Sequence, residues 1–439
     1  MDLLEPVTQP YAWGSHTAIA ELQGRPAPTA QPEAELWVGA HPSAPSGVER
    51  PGGHTTLDAV IAADPVGELG PLCASEFGGR LPFLLKVLAA AKALSIQVHP
   101  SRAQAEAGYR AENERGLAPG DKSRNYVDDW PKPEILCALT PFEVLAGLRA
   151  PEDAAALLTE LAVPELDPVT AVLAAATGPQ ALTEALAAIL AWPDGGRTVL
   201  VDEVVRRCAA VAERGGPYAA ACAAAVRISG EHPGDLGVVA SLLLRHAVLR
   251  PGEAVFMSAG GLHAYLHGTG VELLANSDNV VRAGLTPKHI DVPELLKLTD
   301  PAVAVPALEP RPLGDGVFGY DSPAPEFRLY RAELGSVEVE LPGAGGPRIV
   351  LCTEGTAVLR SSGGAAGRAT ANGGAAGGAT ASGGAAGEAT ANGGAGGGGE
   401  LTVGRGESCF LAAADGVVTA AGPANVFIAA SGLWPTPPA

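Results

Sequence analysis

The residues with the clearest chemical potential in this 439-residue sequence are two histidines, a glutamate and a glutamine. Gln97 and His99 are two apart in Ser-Ile-Gln-Val-His-Pro. On a strand their side chains share one face, while Ile96 and Val98 turn to the other. Glu134 follows in Lys-Pro-Glu, and His263 in Gly-Gly-Leu-His-Ala-Tyr. Two imidazoles, a carboxylate and an amide oxygen suit Zn²⁺, with a position left for water or substrate. A plain reading stands beside this one. A strand histidine is commonly a hydrogen-bonded structural residue, and nine histidines offer many accidental pairings.

A second polar cluster follows His263. Glu272 opens the run Glu-Leu-Leu-Ala-Asn-Ser-Asp-Asn-Val-Val-Arg282, and Thr286-Pro-Lys-His comes directly after it. Arg282 and Lys288 together could form a basic pocket for a phosphate in an otherwise acidic chain. The competing reading is a loop whose Ser, Asn and Asp side chains bond their own backbone, with Arg282 paired to Asp278. Lys132, between Pro131 and Pro133, is held in an extended segment that delivers it beside Glu134. It is either solvated or buried against that carboxylate.

The elements that must position these groups divide by period. Residues 1–145 carry short apolar runs broken by Pro and Gly, of which LPFLLKVLAAAKALSIQVHP is the longest. Residues 152–245 are Ala- and Leu-rich with helical spacing, and Pro151, Glu152 and Asp153 suit a helix start. From His246 strand patterning resumes, with a turn at Pro251-Gly252-Glu253 and alternating His263, Tyr265 and His267. Residues 291–299 read as one short helix before a C-terminal β region. This order predicts a mixed, mainly β protein: a β-sandwich or jelly roll with a helical domain inserted in sequence. The expected division is a catalytic β domain at 1–150 and 240–310, a helical insertion at 151–239, and a C-terminal β domain at 311–439.

Residues 363–399 repeat Gly, Ala, Thr and Asn every ten residues with nothing bulky enough to stack, so a flexible loop without chemistry is expected there. The strand patterns on either side predict that it replaces a hairpin turn. The net charge of −19 disfavours nucleic acid and anionic membranes as partners. No long apolar run is free of Gly, Pro or charge, and the N-terminus lacks a signal-peptide pattern. Six scattered cysteines without a CxxC pair point to reduced thiols and a cytoplasmic protein.

Several blocks resemble the type I mannose-6-phosphate isomerases: Tyr11-Ala-Trp-Gly14, Glu35-Leu-Trp-Val-Gly-Ala-His-Pro42, Lys92 to Pro100, Asn125-Tyr through Lys132-Pro-Glu134, and Gly260 through His289. They occur in the family's order and span most of residues 1–300. The resemblance implies a cupin-type jelly-roll fold, a zinc ion, and aldose–ketose isomerisation of a sugar phosphate through a cis-enediol(ate). It places the zinc ligands at Gln97, His99, Glu134 and His263, and the active-site arginine at Arg282. Ser95, Lys132 and Lys288 fall where the family contacts substrate or its phosphate. Pro131 stands where many members have a histidine considered for proton transfer, which shifts that work to Lys132, Glu272 or a metal-bound water. Ser258-Ala-Gly-Gly261 replaces the family's Pro-Ala-Gly-Asn, removing an amide near the metal.

Two alternatives stay open on the residues themselves. One is a cupin dioxygenase with Fe(II) on two histidines and a carboxylate, against which the extra amide and the Arg282/Lys288 pair argue. The other is a non-catalytic sugar-phosphate-binding protein. A monomer would suffice for any of these readings, and the oligomeric state is not written in the sequence.

Overall fold

In the computed structural model, which describes residues 1–176, 178–362 and 399–433, the apolar runs pair as antiparallel strands in two large sheets. Strand Phe83–Ala90 is buried along its whole length. It lies between Glu35–Gly39 and the second half of the long strand His263–Ala275, with Leu85 opposite both Val38 and Leu273. Burial on both faces explains the apolar run, which Lys86 interrupts.

Strand His263–Ala275 changes partners along its length. Its first residues pair with Phe142–Leu148 and, at His263, with Gln97 of Ile96–Val98. From Gly268 onward it pairs with Phe83–Ala90, and from Gly270 also with Glu134–Ala138. The switch falls at Gly268, where φ is +132° and an added Cβ would lie 2.8 Å from Pro141 O. Only glycine fits both conditions. The register shifts between Tyr265 and His267, so His267 is exposed while His263 and Tyr265 are buried. The simple alternation expected for these three residues is therefore broken by a bulge.

Helices occupy much of residues 151–240. Pro151–Leu161 starts as expected, with Pro at its first turn and Glu152 and Asp153 beside the helix N-terminus. Helices Gln180–Leu190, Asp194–Arg214 and Ala219–Glu231 share a core in which Leu186, Ile189, Val204 and Ile228 are fully buried. Ile96, Val98, Leu262, Val281 and Ala283 belong to the same core. The helical layer therefore packs against the back of the strands whose front carries Gln97 and His263. The short helix Val292–Leu298 forms where expected, capped by Asp291, which accepts from the Glu294 N–H at 3.0 Å.

The β reading of residues 1–145 misses five helices: Ala18–Leu22, Leu57–Ala63, Pro65–Leu69, Pro71–Glu76 and Arg102–Glu114. Arg102–Glu114 buries only Ala105 and Glu112, so it lacks an apolar stripe to read. Its legible signal was the capping box of Ser101 and Gln104.

In the C-terminal part, Arg348–Ser361 pairs with Ala424–Ala430, Ser408–Leu411 and Glu400–Gly404. Strand Asp2–Glu5 joins the same sheet beside Ser408–Leu411. Leu351, Phe410 and Phe427 share a core with Phe83 and Leu85, so this sheet backs the strands of the first third. No described helix is long and apolar enough to cross a membrane.

The expected loop at 363–399 falls outside the described residues except for Gly399. Its flanks pair as a hairpin would: Arg360 opposes Glu400, and the Ser361 N–H donates to Gly399 O at 3.0 Å. Replacing 363–398 by a short glycine-containing turn should leave the melting temperature nearly unchanged. Closure entropy changes by only about 0.6 kcal/mol per doubling of loop length. A thermal melt of the shortened chain checks this.

Candidate active site and metal centre

Three neighbouring strands bring the predicted site residues to one face. In register, Gln97 lies between His263 on one side and Arg282 of strand Val281–Gly284 on the other. Directly opposed residues of antiparallel strands project to the same side. His99 follows the end of strand Ile96–Val98, and Glu134 begins strand Glu134–Ala138. Ligand atoms of His99, Glu134 and His263 all lie within 4.8 Å of one another, and all three residues are buried. Among the described residues the other such grouping, Glu5, Glu49 and His54, is exposed.

The donor set fits a metal ion. His99 Nδ1 is 2.9 Å from Asn279 O, and His263 Nδ1 is 2.9 Å from Gly261 O. These carbonyls accept from the Nδ1–H groups, which leaves a lone pair on each Nε2. Burial pushes the His99 imidazole down to about 4 against the pull of Glu134, keeping it neutral. His99 Nε2 and Glu134 Oε2 are buried without a hydrogen-bond partner, as is the Tyr265 hydroxyl beside them. The Gln97 amide lies 3.4 Å from His263 Nε2, close enough to add its oxygen as a fourth donor. Such orphaned buried atoms are costly unless something binds them. Gly261 contributes the carbonyl that holds His263.

A cavity of about 670 Å³ opens in front of this set and is lined by Ser95, Gln97, Lys132, Glu134, Glu272, Arg282 and Lys288. Lys132 is buried, with its Nζ 3.1 Å from Glu134 Oε1. Burial alone would raise the Glu134 carboxyl, but Lys132 and the imidazoles hold it well below the usual range. A further group on the same wall escaped the sequence reading. Lys86, opposite Glu272 in register, has its Nζ 3.4 Å from Glu272 and 3.6 Å from Glu35, and lies 4.9 Å above the Trp37 ring. Burial opposes its charge, yet the two carboxylates prevail and raise its pKa. Glu272 is pushed up to about 7 by burial, with Lys86 pulling the other way. This places a carboxyl able to exchange a proton near neutral pH in the cavity.

Arg282 and Lys288 face the same cavity, and neither side chain has an ion pair or hydrogen bond to any described residue. Burial lowers both pKa values, and Arg282 lowers that of Lys288 further. Ser95 is half-buried nearby. The Arg282–Asp278 pair of the competing reading does not form; Asp278 lies 3.4 Å from His41 instead. Nor does the polar loop mainly bond its own backbone. Asn279, fully buried, accepts from the Val127 N–H at 2.7 Å and donates to Asp128 O and Trp130 O at 2.8 Å. Ser277 and the Asp278 N–H reach Asp128 at 2.8 and 2.9 Å. The cluster thus stitches residues 127–130, which lead into Lys132 and Glu134, to His99.

Residues 1–151 match the family model of the phosphomannose isomerase type I catalytic domain. The mannose-6-phosphate isomerase of Salmonella typhimurium is 38% identical over 363 residues, covering 80% of this chain and 88% of that protein. The Bos taurus mannose-6-phosphate isomerase is 35% identical over 393 residues, with 82% and 88% covered. A solved, zinc-bound mannose 6-phosphate isomerase is similar with a TM-score of 0.81 and 32% identity, covering 98% of this chain and 99% of that one.

Proposed function

The chain belongs to the type I mannose-6-phosphate isomerase family, and from that premise we propose that it interconverts D-mannose 6-phosphate and D-fructose 6-phosphate in this cavity through a cis-enediolate. The observation that carries the reading is one cavity lined both by an orphaned metal-donor set and by two cations without an ion-pair partner among the described residues. Gln97, His99, Glu134 and His263 would hold the zinc ion, which would supply a Lewis acid to the substrate's carbonyl and hydroxyl oxygens. Lys288 and Ser95 bind the phosphate and so orient the reacting carbons. Arg282, always protonated, stabilises the negative charge that develops on the enediolate. Glu272 carries the proton between C2 and C1, with Lys86 fixing its orientation at 3.4 Å. Lys132 keeps Glu134 ionised and in place. Pro131 is buried and offers no acid or base, so nothing at that position shares the proton transfer. An Fe(II) dioxygenase or a passive sugar-phosphate binder leaves the Glu272–Lys86 pair without a task.

The supporting frame is a cupin-type jelly roll at 1–150 and 240–310, a helical insertion at 151–239, and a C-terminal β domain at 311–439. One strand that changes partners along its length, His263–Ala275, supports the jelly-roll reading. Six buried free cysteines support a reducing, cytoplasmic setting.

Turnover of mannose 6-phosphate in D₂O tests the proton-transfer step. Deuterium should appear at the C1 or C2 carbon of the sugar phosphates by NMR. Glu272→Gln should lower kcat by about 100-fold or more with zinc content unchanged. Undiminished turnover in Glu272→Gln would transfer the proton to another group.

A further inference from the structure

Part of the cavity wall comes from the helical layer rather than from the strands. Glu231, the last residue of helix Ala219–Glu231, and His232 after it both line the cavity. Glu231 Oε2 accepts a 2.7 Å hydrogen bond from the Ala93 N–H, and His232 Nε2 lies 3.3 Å from Ala93 O. Ala93 belongs to the turn between strands Phe83–Ala90 and Ile96–Val98 that presents Lys92 and Ser95 to the same cavity. A little further along, Asp235 grips the opposite rim. Its Oδ2 accepts from the Thr286 N–H at 3.2 Å and its Oδ1 from the Gly237 N–H at 2.7 Å. Thr286 Oγ1 in turn accepts from the Lys288 N–H at 3.1 Å.

Backbone packing locks this second grip. A Cβ on Gly237 would lie 2.7 Å from Leu285 N, and one on Gly284 would lie 2.6 Å from Gly237 Cα. Leu285 between them has φ of +58°, a conformation a leucine keeps only where its surroundings enforce it. That turn carries the chain out of strand Val281–Gly284, leaving Arg282 on the sheet and bringing Lys288 to the cavity.

We propose that Glu231 and Asp235 are positioning residues. Through them, the 231–237 segment of the helical layer sets the gap between the Ser95 rim and the Lys288 rim, and thereby the grip on the substrate's phosphate. The inference rests on the phosphate reading of Arg282, Lys288 and Ser95 given above. Two carboxylates near an anion site would weaken it if their charge faced the ligand. Here both oxygens of Asp235 and one of Glu231 accept backbone N–H groups, which ties their charge to the loops they hold. Loops fixed in advance spare the substrate the cost of ordering them.

The test compares Glu231→Ala, Glu231→Gln and Asp235→Ala with Lys288→Ala, by kcat and KM for mannose 6-phosphate, the inhibition constant of inorganic phosphate, and zinc content. Glu231→Gln keeps a carbonyl oxygen that can accept from the Ala93 N–H, so it should stay within about twofold of the parent protein. Both alanine variants should raise KM and the phosphate inhibition constant together by about tenfold, with kcat falling less than about threefold and zinc retained. If Asp235→Ala does not fold, Asp235→Asn and the Glu231 pair decide by the same readings. Unchanged KM and phosphate inhibition in the Glu231 and Asp235 variants, alongside a rise in Lys288→Ala, would overturn the proposal and leave the phosphate reading standing. A Lys288→Ala variant with unaltered phosphate inhibition would overturn the phosphate reading itself, and the proposal with it.

Discussion

Arg282→Ala is expected to lower kcat by about 100-fold or more while raising KM much less. Arg282 stands opposite Gln97 in register, on the face that carries His263, so it lies beside the metal-donor set rather than only at the phosphate end. It has no partner among the described residues that would neutralise it in the ground state. Its interaction therefore grows as charge develops on the enediolate, and its loss appears in kcat. Lysine should not rescue it, because an ammonium lacks the planar fork that can contact two oxygens at once. Lys288→Ala should behave differently, raising KM with a smaller effect on kcat, since the proposed phosphate contact would be made in ground and transition states alike. Steady-state kinetics on Arg282→Ala, Arg282→Lys and Lys288→Ala, with zinc content checked in each, separate the two roles. An Arg282→Ala variant changed only in KM would make Arg282 a phosphate ligand.

His263→Ala should remove both bound metal and activity while leaving the far-UV circular dichroism intact. His263 is fully buried, and its Nε2 lies 3.4 Å from Glu134 Oε2. Its backbone is held in the middle of the sheet between Gln97 and Ala146, so the truncation leaves the strands paired. A lost Lewis acid is worth several kcal/mol of charge stabilisation, or about 1,000-fold in kcat. Zinc content measured by atomic emission, beside the same kinetic assay, checks both halves of the expectation. Full activity in His263→Ala after chelation and dialysis would remove the metal assignment.

Much of the site was legible because local rules place it. Alternation puts Gln97 and His99 on one face and buries Ile96 and Val98, and the structure keeps that arrangement. Lys132 is delivered to Glu134 by its flanking prolines, as expected. Lys86 was hidden in plain view. It sits in a run that reads as a buried apolar strand, and a lysine in such a strand was itself the signal, since a buried ammonium needs carboxylates. Those carboxylates, Glu35 and Glu272, come from two other strands, which no local pattern connects to it.

The polar run around Asn279 shows the same limit. Its composition is that of a self-bonded loop, yet its partners at 127–130 are far away in sequence. The helical layer was legible from its period and from the Pro151 start. That helix Ala219–Glu231 reaches the cavity through Glu231 follows only from how the layer packs on the sheet.

The most direct measurement is fructose 6-phosphate formation from mannose 6-phosphate, followed by a coupled assay on protein stripped of metal and then titrated with zinc. The stripped protein should be inactive, and activity should return in proportion to zinc, saturating at one ion per chain. Full turnover by protein shown to hold no metal, or no turnover at one bound zinc per chain, would contradict the account.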